Sequence, residues 1–254
     1  MTQADKARAF ADLHIKGNPI VLYNIWDAGS AMAVAKAGAD AVATGSWSVA
    51  AAQGYGDGEA LPLELLETIV GRIAASVELP LSVDFEGGFA VEPDRIATNT
   101  ARIINAGAIG VNFEDQVVGG EGLHAPGLQS ERIAAVRRAG KTAGVPLFIN
   151  ARTDLFLKQQ DRSQHGGLVE EAIERAEIYE AAGASGFFVP GLIAPDLIER
   201  ICRDIRLPVN VMMMPDAPSI ADLTGLGVAR ISYGPGPYRQ AMKALEERCA
   251  AIRN

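Results

Sequence analysis

The sequence predicts an α/β protein, and within that class a (β/α)8 barrel. Three observations carry the prediction. A segment with a helix-ending glycine and then a short apolar run recurs: AGADAVATGS at 37–46, AGAIGVNFED at 106–115, AGVPLFINAR at 143–152 and AGASGFFVPG at 182–191, with LGVARISYGP at 226–235 as a looser copy. Glycine suits the left-handed position that closes a helix. The apolar runs lack strict alternation, as expected of strands covered on both faces. Three further runs, PIVLYN, PLSVDF and PVNVMM, begin with proline, which a strand tolerates at its first residue.

Taken in order, MTQADKARAFADLH opens the chain as an amphipathic helix without the apolar core of a signal peptide. Strands are expected near 19–24, 40–45, 80–85, 109–114, 146–151, 186–190, 208–212 and 229–233. Helical spacing of apolar residues runs through 61–77, 95–107, 130–144 and 167–183, and YRQAMKALEERCAAIRN ends the chain as one more amphipathic helix. Eight strands alternating with helices in 254 residues is the count of a (β/α)8 barrel, expected here as a single domain over 1–254. An open doubly wound sheet is the alternative, but no glycine-rich phosphate fingerprint follows the first strand.

Composition narrows the function. A net charge of −8 without a basic stretch argues against a nucleic-acid partner. No apolar run is long enough to span a bilayer. Cys202 and Cys249 lie far apart on expected helices and read as reduced, packed residues, which makes a reducing cytoplasm the simplest setting. His14 reads as a helix-surface residue and His165 as solvated in a polar loop.

In such a barrel the chemistry belongs at the C-terminal strand ends. Strand 1 ends at Asn24, and strand 2 at Thr44-Gly45-Ser46-Trp47 with Asp57 on the loop beyond. Strand 3 ends in Asp84 and Glu86, strand 4 in Glu114 and Asp115, and strand 5 in Asn150 and Arg152 with Asp154 after it. Strand 6 ends in Pro190, strand 7 in Asn210 and Met212, and strand 8 in Ser232 and Tyr233. Converging carboxylates from neighbouring strands suit Mg²⁺ or Mn²⁺, which take oxygen ligands and keep several waters. Arg152 could grip a carboxylate through two parallel hydrogen bonds. Gly45 and Ser46 could offer a backbone N–H and a hydroxyl to an anion. The glycine pair 87–88 fits a close approach of backbone to ligand. Acids at strand ends also serve as helix caps and turn residues, a reading that weighs most on Asp57 and Asp115.

The ordered motifs YNIWDAGSA, TGSWSVAAAQGYGD, VDFEGGF, VNFEDQ, INARTD, FFVPG and ISYGPGPYR resemble the isocitrate lyase / phosphoenolpyruvate mutase superfamily over nearly the whole chain. The resemblance implies a barrel whose final helix is swapped between subunits, a homodimer or homotetramer, bound Mg²⁺, and a small anionic 2-oxo or 2-hydroxy acid held as its enolate. It implies Asp84, Glu86, Glu114 and Asp57 around the metal. It implies Tyr23, Gly45, Ser46, Trp47, Asn150, Arg152 and Asn210 around the substrate. One departure bears on the reaction: where the isocitrate and methylisocitrate lyases carry a Lys-Arg-Cys-Gly-His loop, this chain reads DQVVGGEGLHAPG. With no Cys, Lys or Arg there, Arg152 and Glu114 remain the catalytic candidates, joined by Glu121 or His124 as the acid or base. The expected activity is carbon–carbon cleavage beside a 2-oxo or 2-hydroxy acid, oxaloacetate decarboxylation needing the least protein chemistry. Phosphonomutase chemistry and a 2-oxo-acid binder without efficient catalysis are the alternatives.

Overall fold

The computed structural model describes residues 1–253. The chain opens with α1 (Gln3–Asp12), β1 (Ile20–Leu22), α2 (Ala28–Lys36), β2 (Val42–Ala43), α3 (Ser46–Ala52) and α4 (Leu63–Ser76). It continues with β3 (Leu81–Asp84), α5 (Pro93–Asn105), β4 (Gly110–Glu114), α6 (Pro126–Thr142), β5 (Phe148–Arg152) and α7 (Leu155–Lys158). A 3-10 helix (Arg162–Leu168) leads into α8 (Val169–Ala182), β6 (Gly186–Phe188), α9 (Pro195–Asp204), β7 (Val209–Met212), α10 (Ile220–Gly225), β8 (Arg230–Ser232) and α11 (Gly236–Ile252).

All the strand pairs are parallel, in the order β1-β8-β7-β6-β5-β4-β3-β2. The seam between β1 and β2 is bridged past the strand ends, where the Ile25 N–H donates to the Ala43 carbonyl at 2.8 Å and the Gly45 N–H to the Ile25 carbonyl at 3.2 Å. The result is the nearly closed (β/α)8 barrel that the repeat predicts. All eight expected strands are present.

The apolar core lies between strands and helices. Val83, Val111, Ile149 and Ile231, at the middles of their strands, are fully buried. Helices α4 and α5 turn Ile73, Ile96 and Ile103 toward them. Inside the barrel the packing is different. Asn150 and Arg230 both donate to Asn112 Oδ1, joining β5 and β8 to β4 across the interior. Such interiors are ordinarily filled by branched apolar side chains.

Helix α1 covers the base of the barrel. Thr2 and Asp5 form a capping box at its start. Phe10 is fully buried, edge-on to Phe148. His14 is a correction to the sequence reading. It is stacked on Phe148 at 4.0 Å, and its Nδ1 donates to the Phe10 carbonyl at 2.8 Å. His165, expected to be solvated, is buried, with Nε2 donating to the Gln159 carbonyl at 2.9 Å. Cys202 is buried as expected, whereas Cys249 is exposed on α11. That helix buries only Pro237 and leaves Leu245 63% exposed.

Candidate active site

The strand ends meet at a cavity of about 180 Å³ at the C-terminal mouth of the barrel. Asp84 is its centre. The Asp84 N–H donates to Thr44 Oγ1 at 2.8 Å, tying β3 to β2. Asp84 Oδ2 accepts the Ser46 N–H at 3.0 Å, at the first turn of α3. Its other oxygen, Oδ1, is buried and has no partner among the described residues. A buried carboxylate oxygen without a donor is costly unless something else satisfies it.

Arg152 forms the opposite wall. Its guanidinium lies against the Phe188 ring, 5.9 Å from the centroid. Nε and Nη2 bond Asp154 Oδ1 and Oδ2 at 2.6 and 3.1 Å, and Nη1 pairs with Glu114 Oε2 at 3.1 Å. Burial works against the Arg152 charge, but Glu114, Asp154 and Asp84 hold its pKa well above the usual value. Burial raises Glu114 far above the carboxylate range, with Arg152 pulling the other way and Asp154, Asp84 and Glu86 adding to the rise.

Asp57 reaches the cavity from the loop between α3 and α4. Burial raises its pKa, and the Asp84 charge raises it further. Glu86 sits close by but is turned away. It adopts a left-handed φ of 49°, and its Oε2 accepts the Glu59 N–H at 2.7 Å. Burial pushes its carboxyl up to about 8; the Glu59 N–H bond opposes the rise, and Asp84, Asp57 and Glu59 reinforce it.

The other expected residues are placed unevenly. Gly45, Ser46 and Trp47 line the cavity. The backbone N–H groups are already engaged, Gly45 to Ile25 and Ser46 to Asp84, so of the expected N–H and hydroxyl donors the Ser46 hydroxyl is the one that remains. Asn150 and Asn210 are buried below, inside the barrel. Tyr23 lies outside the cavity, its hydroxyl donating to Gln240 at 3.0 Å. Residues 116–123 form a small hairpin bridged between Gln116 and Leu123, with Glu121 exposed in its turn. His124 is buried in a separate cavity of about 150 Å³ beside Glu59 and Arg132. Neither Glu121 nor His124 touches the main cavity.

The glycine pair has a different cause from the one the sequence suggested. A Cβ on Gly88, at φ +83°, would stand 2.9 Å from Phe113 Cε2, and one on Gly87 would stand 3.0 Å from both Glu59 Oε1 and Val118 Cγ2. The close approach is to the protein's own side chains. Sequence reading missed Asn112, which lines the cavity, and the roles of Asp154 and Glu59. Asp154 could have been found from its position two residues after Arg152, since the pair shares one strand end.

Asp57, Asp84 and Glu114 gather around Arg152 at these strand ends, and Asp84 Oδ1 is the carboxylate oxygen there that meets no donor among the described residues. Among the described residues, no three His, Cys, Asp or Glu side chains converge closely enough to hold an ion by themselves. A hard divalent ion that takes oxygen ligands and keeps several waters would fit that unsatisfied oxygen, the remaining acids being reached through water.

Eight parallel strands with acids and an arginine gathered at their C-terminal ends make this an α/β-barrel protein with a polar cavity at the barrel mouth. The chain belongs to the phosphoenolpyruvate phosphomutase family, whose match covers residues 10–253. It is similar to the crystal structure of a provisionally named phosphonomutase from Burkholderia cenocepacia J2315, at 46% identity and TM-score 0.96, over 98% of this chain and 99% of that one. An uncharacterized protein of Mycobacterium tuberculosis is 35% identical over 96% of this chain and 88% of its own length. The 2-methylisocitrate lyase of Escherichia coli K12 is 28% identical over 97% of this chain and 84% of its own. More distant relatives include an oxaloacetate decarboxylase of Paraburkholderia xenovorans, 27% identical over 100% of this chain and 83% of its own length. A phosphoenolpyruvate phosphomutase of Streptomyces hygroscopicus is 26% identical over 91% of this chain and 75% of its own length. A phosphonopyruvate hydrolase, 22% identical with TM-score 0.85, shares the fold and was solved with oxalate and Mg²⁺.

Proposed function

We propose that this protein is a Mg²⁺-dependent carbon–carbon lyase or decarboxylase acting on a small 2-oxo or 2-hydroxy dicarboxylate such as oxaloacetate or a substituted malate. One observation carries the reading: the only ionisable side chains lining the cavity, among the described residues, are Asp57, Asp84 and Arg152. The one cation among them is already paired with two carboxylates. A phosphonate beside a carboxylate would bring more negative charge than that lining can answer. Carbon–carbon cleavage that releases CO₂ asks for no further acid or base.

Each residue then has a task. Arg152, held by Asp154 and Glu114 at all three nitrogens, offers the remaining Nη N–H groups to the substrate carboxylate. The Ser46 hydroxyl donates to the same anion. Asp84 would hold Mg²⁺, which when bound would polarise the 2-oxo group and supply the electron sink. Asp57, Glu114 and Glu86 act through water. In oxaloacetate the C3–C4 bond breaks, CO₂ leaves, the electron pair stays on C3, and a solvent proton completes pyruvate.

The 46% identical relative's name favours phosphonomutase chemistry as the competing reading. Assay of oxaloacetate and substituted malates against phosphonopyruvate, all with Mg²⁺, separates the two. Turnover of phosphonopyruvate alone removes the lyase reading. Oxalate binding without any turnover supports a binder that has lost catalysis. The exposed face of α11 supports helix exchange between subunits of a dimer or tetramer, which light scattering would detect.

A further inference from the structure

Arg230 stands on β8 inside the barrel, fully buried, below the cavity. Its Nη2 donates to Asn112 Oδ1 at 3.1 Å, across the interior on β4. Its Nε and Nη1 have no partner among the described residues. The Phe10 ring lies 5.9 Å from the guanidinium carbon, at the base of the barrel. A buried guanidinium with so few hydrogen bonds lowers stability relative to an apolar side chain of similar size. Its presence calls for another reason.

The hydrogen bonds supply one. Arginine has donors only, so the Asn112 atom facing Arg230 is the amide oxygen. Asn150 Nδ2 donates to that same oxygen at 2.9 Å. Two donors, Asn150 from the neighbouring strand and Arg230 from across the interior, fix the Asn112 amide plane and leave its Nδ2 donor for the cavity that Asn112 lines. Without them the amide could turn over and present an oxygen to an anionic ligand.

We propose that Arg230 is a positioning residue for the ligand: through Asn112 Oδ1 it aims the Asn112 Nδ2 donor into the cavity, where that donor meets an anionic oxygen of the bound carboxylate. Asn150 shares the task. The proposal rests on the reading of the cavity as a 2-oxo-acid site and adds a third donor to Arg152 and Ser46.

Calorimetric titration of oxalate with Mg²⁺ tests it, with thermal unfolding recorded for each variant. Asn112→Asp keeps an acceptor for Arg230 and Asn150, so the fold should hold. It replaces a donor by a charge facing the anion, so oxalate affinity should fall about 100-fold or more. Arg230→Gln should weaken oxalate about 10-fold, and the Asn112→Ala/Arg230→Gln pair should bind no more weakly than Asn112→Ala alone. If Arg230→Gln does not fold, Asn150→Ser removes the other donor without touching the buried charge and should weaken oxalate severalfold. Asn112→Asp binding oxalate within about threefold of wild type, while Arg152→Lys binds poorly, overturns the proposal and leaves the site reading standing. Fully additive losses in the double variant overturn the positioning role. A wild-type protein that binds no oxalate overturns both.

Discussion

Asp154 holds Arg152 in a two-point fork, Nε to Oδ1 at 2.6 Å and Nη2 to Oδ2 at 3.1 Å. The Asp154 carboxylate is itself 1% exposed, and its own N–H is fixed by Asp115 Oδ1 at 3.0 Å. The plane of the Arg152 guanidinium is therefore set by the chain itself. Asp154→Asn keeps one acceptor and loses the charge. We expect oxalate affinity to drop by about 1–2 kcal/mol while Arg152→Lys, which loses the planar fork, costs about 2–3 kcal/mol. Calorimetry on the two variants checks the order; equal affinities to wild type would remove Arg152 from contact with the ligand.

Asp115 belongs to the frame around the site. Its Oδ2 accepts the Tyr179 hydroxyl at 2.8 Å and pairs with Arg175 at 3.2 Å, all buried. Asp115→Ala would leave Arg175 buried with the exposed-side Glu171 as its one remaining carboxylate. Urea unfolding should report a loss of about 3–5 kcal/mol. A loss below about 1 kcal/mol would mean the network contributes little.

Gly88 explains the turn after β3. Gly88→Ala must hold a left-handed backbone and push Phe113 aside. The expected destabilisation is about 2–3 kcal/mol, visible as a lowered Tm. An unchanged Tm would show that Phe113 yields freely.

His14 gives the protein an acid-side weakness. Burial lowers its pKa from 6.5 to about 3, with the Arg230 charge adding to the fall and the Phe10 carbonyl opposing it. The unfolded chain takes up a proton that the folded one refuses. Stability is full above 6.5 and declines as pH falls from there toward 3. The contribution is about 2–4 kcal/mol across that window. His14→Phe should flatten the urea-midpoint profile between those limits, and a profile of unchanged slope would assign the acid loss to other groups.

The sequence made the strands legible because each follows a glycine-closed helix or a proline and consists of unbroken apolar residues. Strand ends then follow by counting, which located Asp84, Glu114 and Arg152 together. Direction was less legible. Whether Glu86 faces the cavity or Glu59 depends on a left-handed φ that an acid seldom adopts. Gly45 and Ser46 read as free donors because their partners, Ile25 and Asp84, lie on other strands. Asn112, Asn150 and Arg230 each stand alone in an apolar run, and only the closed barrel brings them to one hydrogen-bonded centre. His14 and His165 misled for the same reason, since their polar neighbours in sequence are not their neighbours in space.

The most direct test of the lyase reading is pyruvate release from oxaloacetate and substituted malates, measured with Mg²⁺ and with a chelator, in wild type and Asp84→Ala. Turnover above the rate of Mg²⁺ alone is expected, abolished by chelator and absent in Asp84→Ala. Turnover that survives both the chelator and the loss of Asp84 would contradict it.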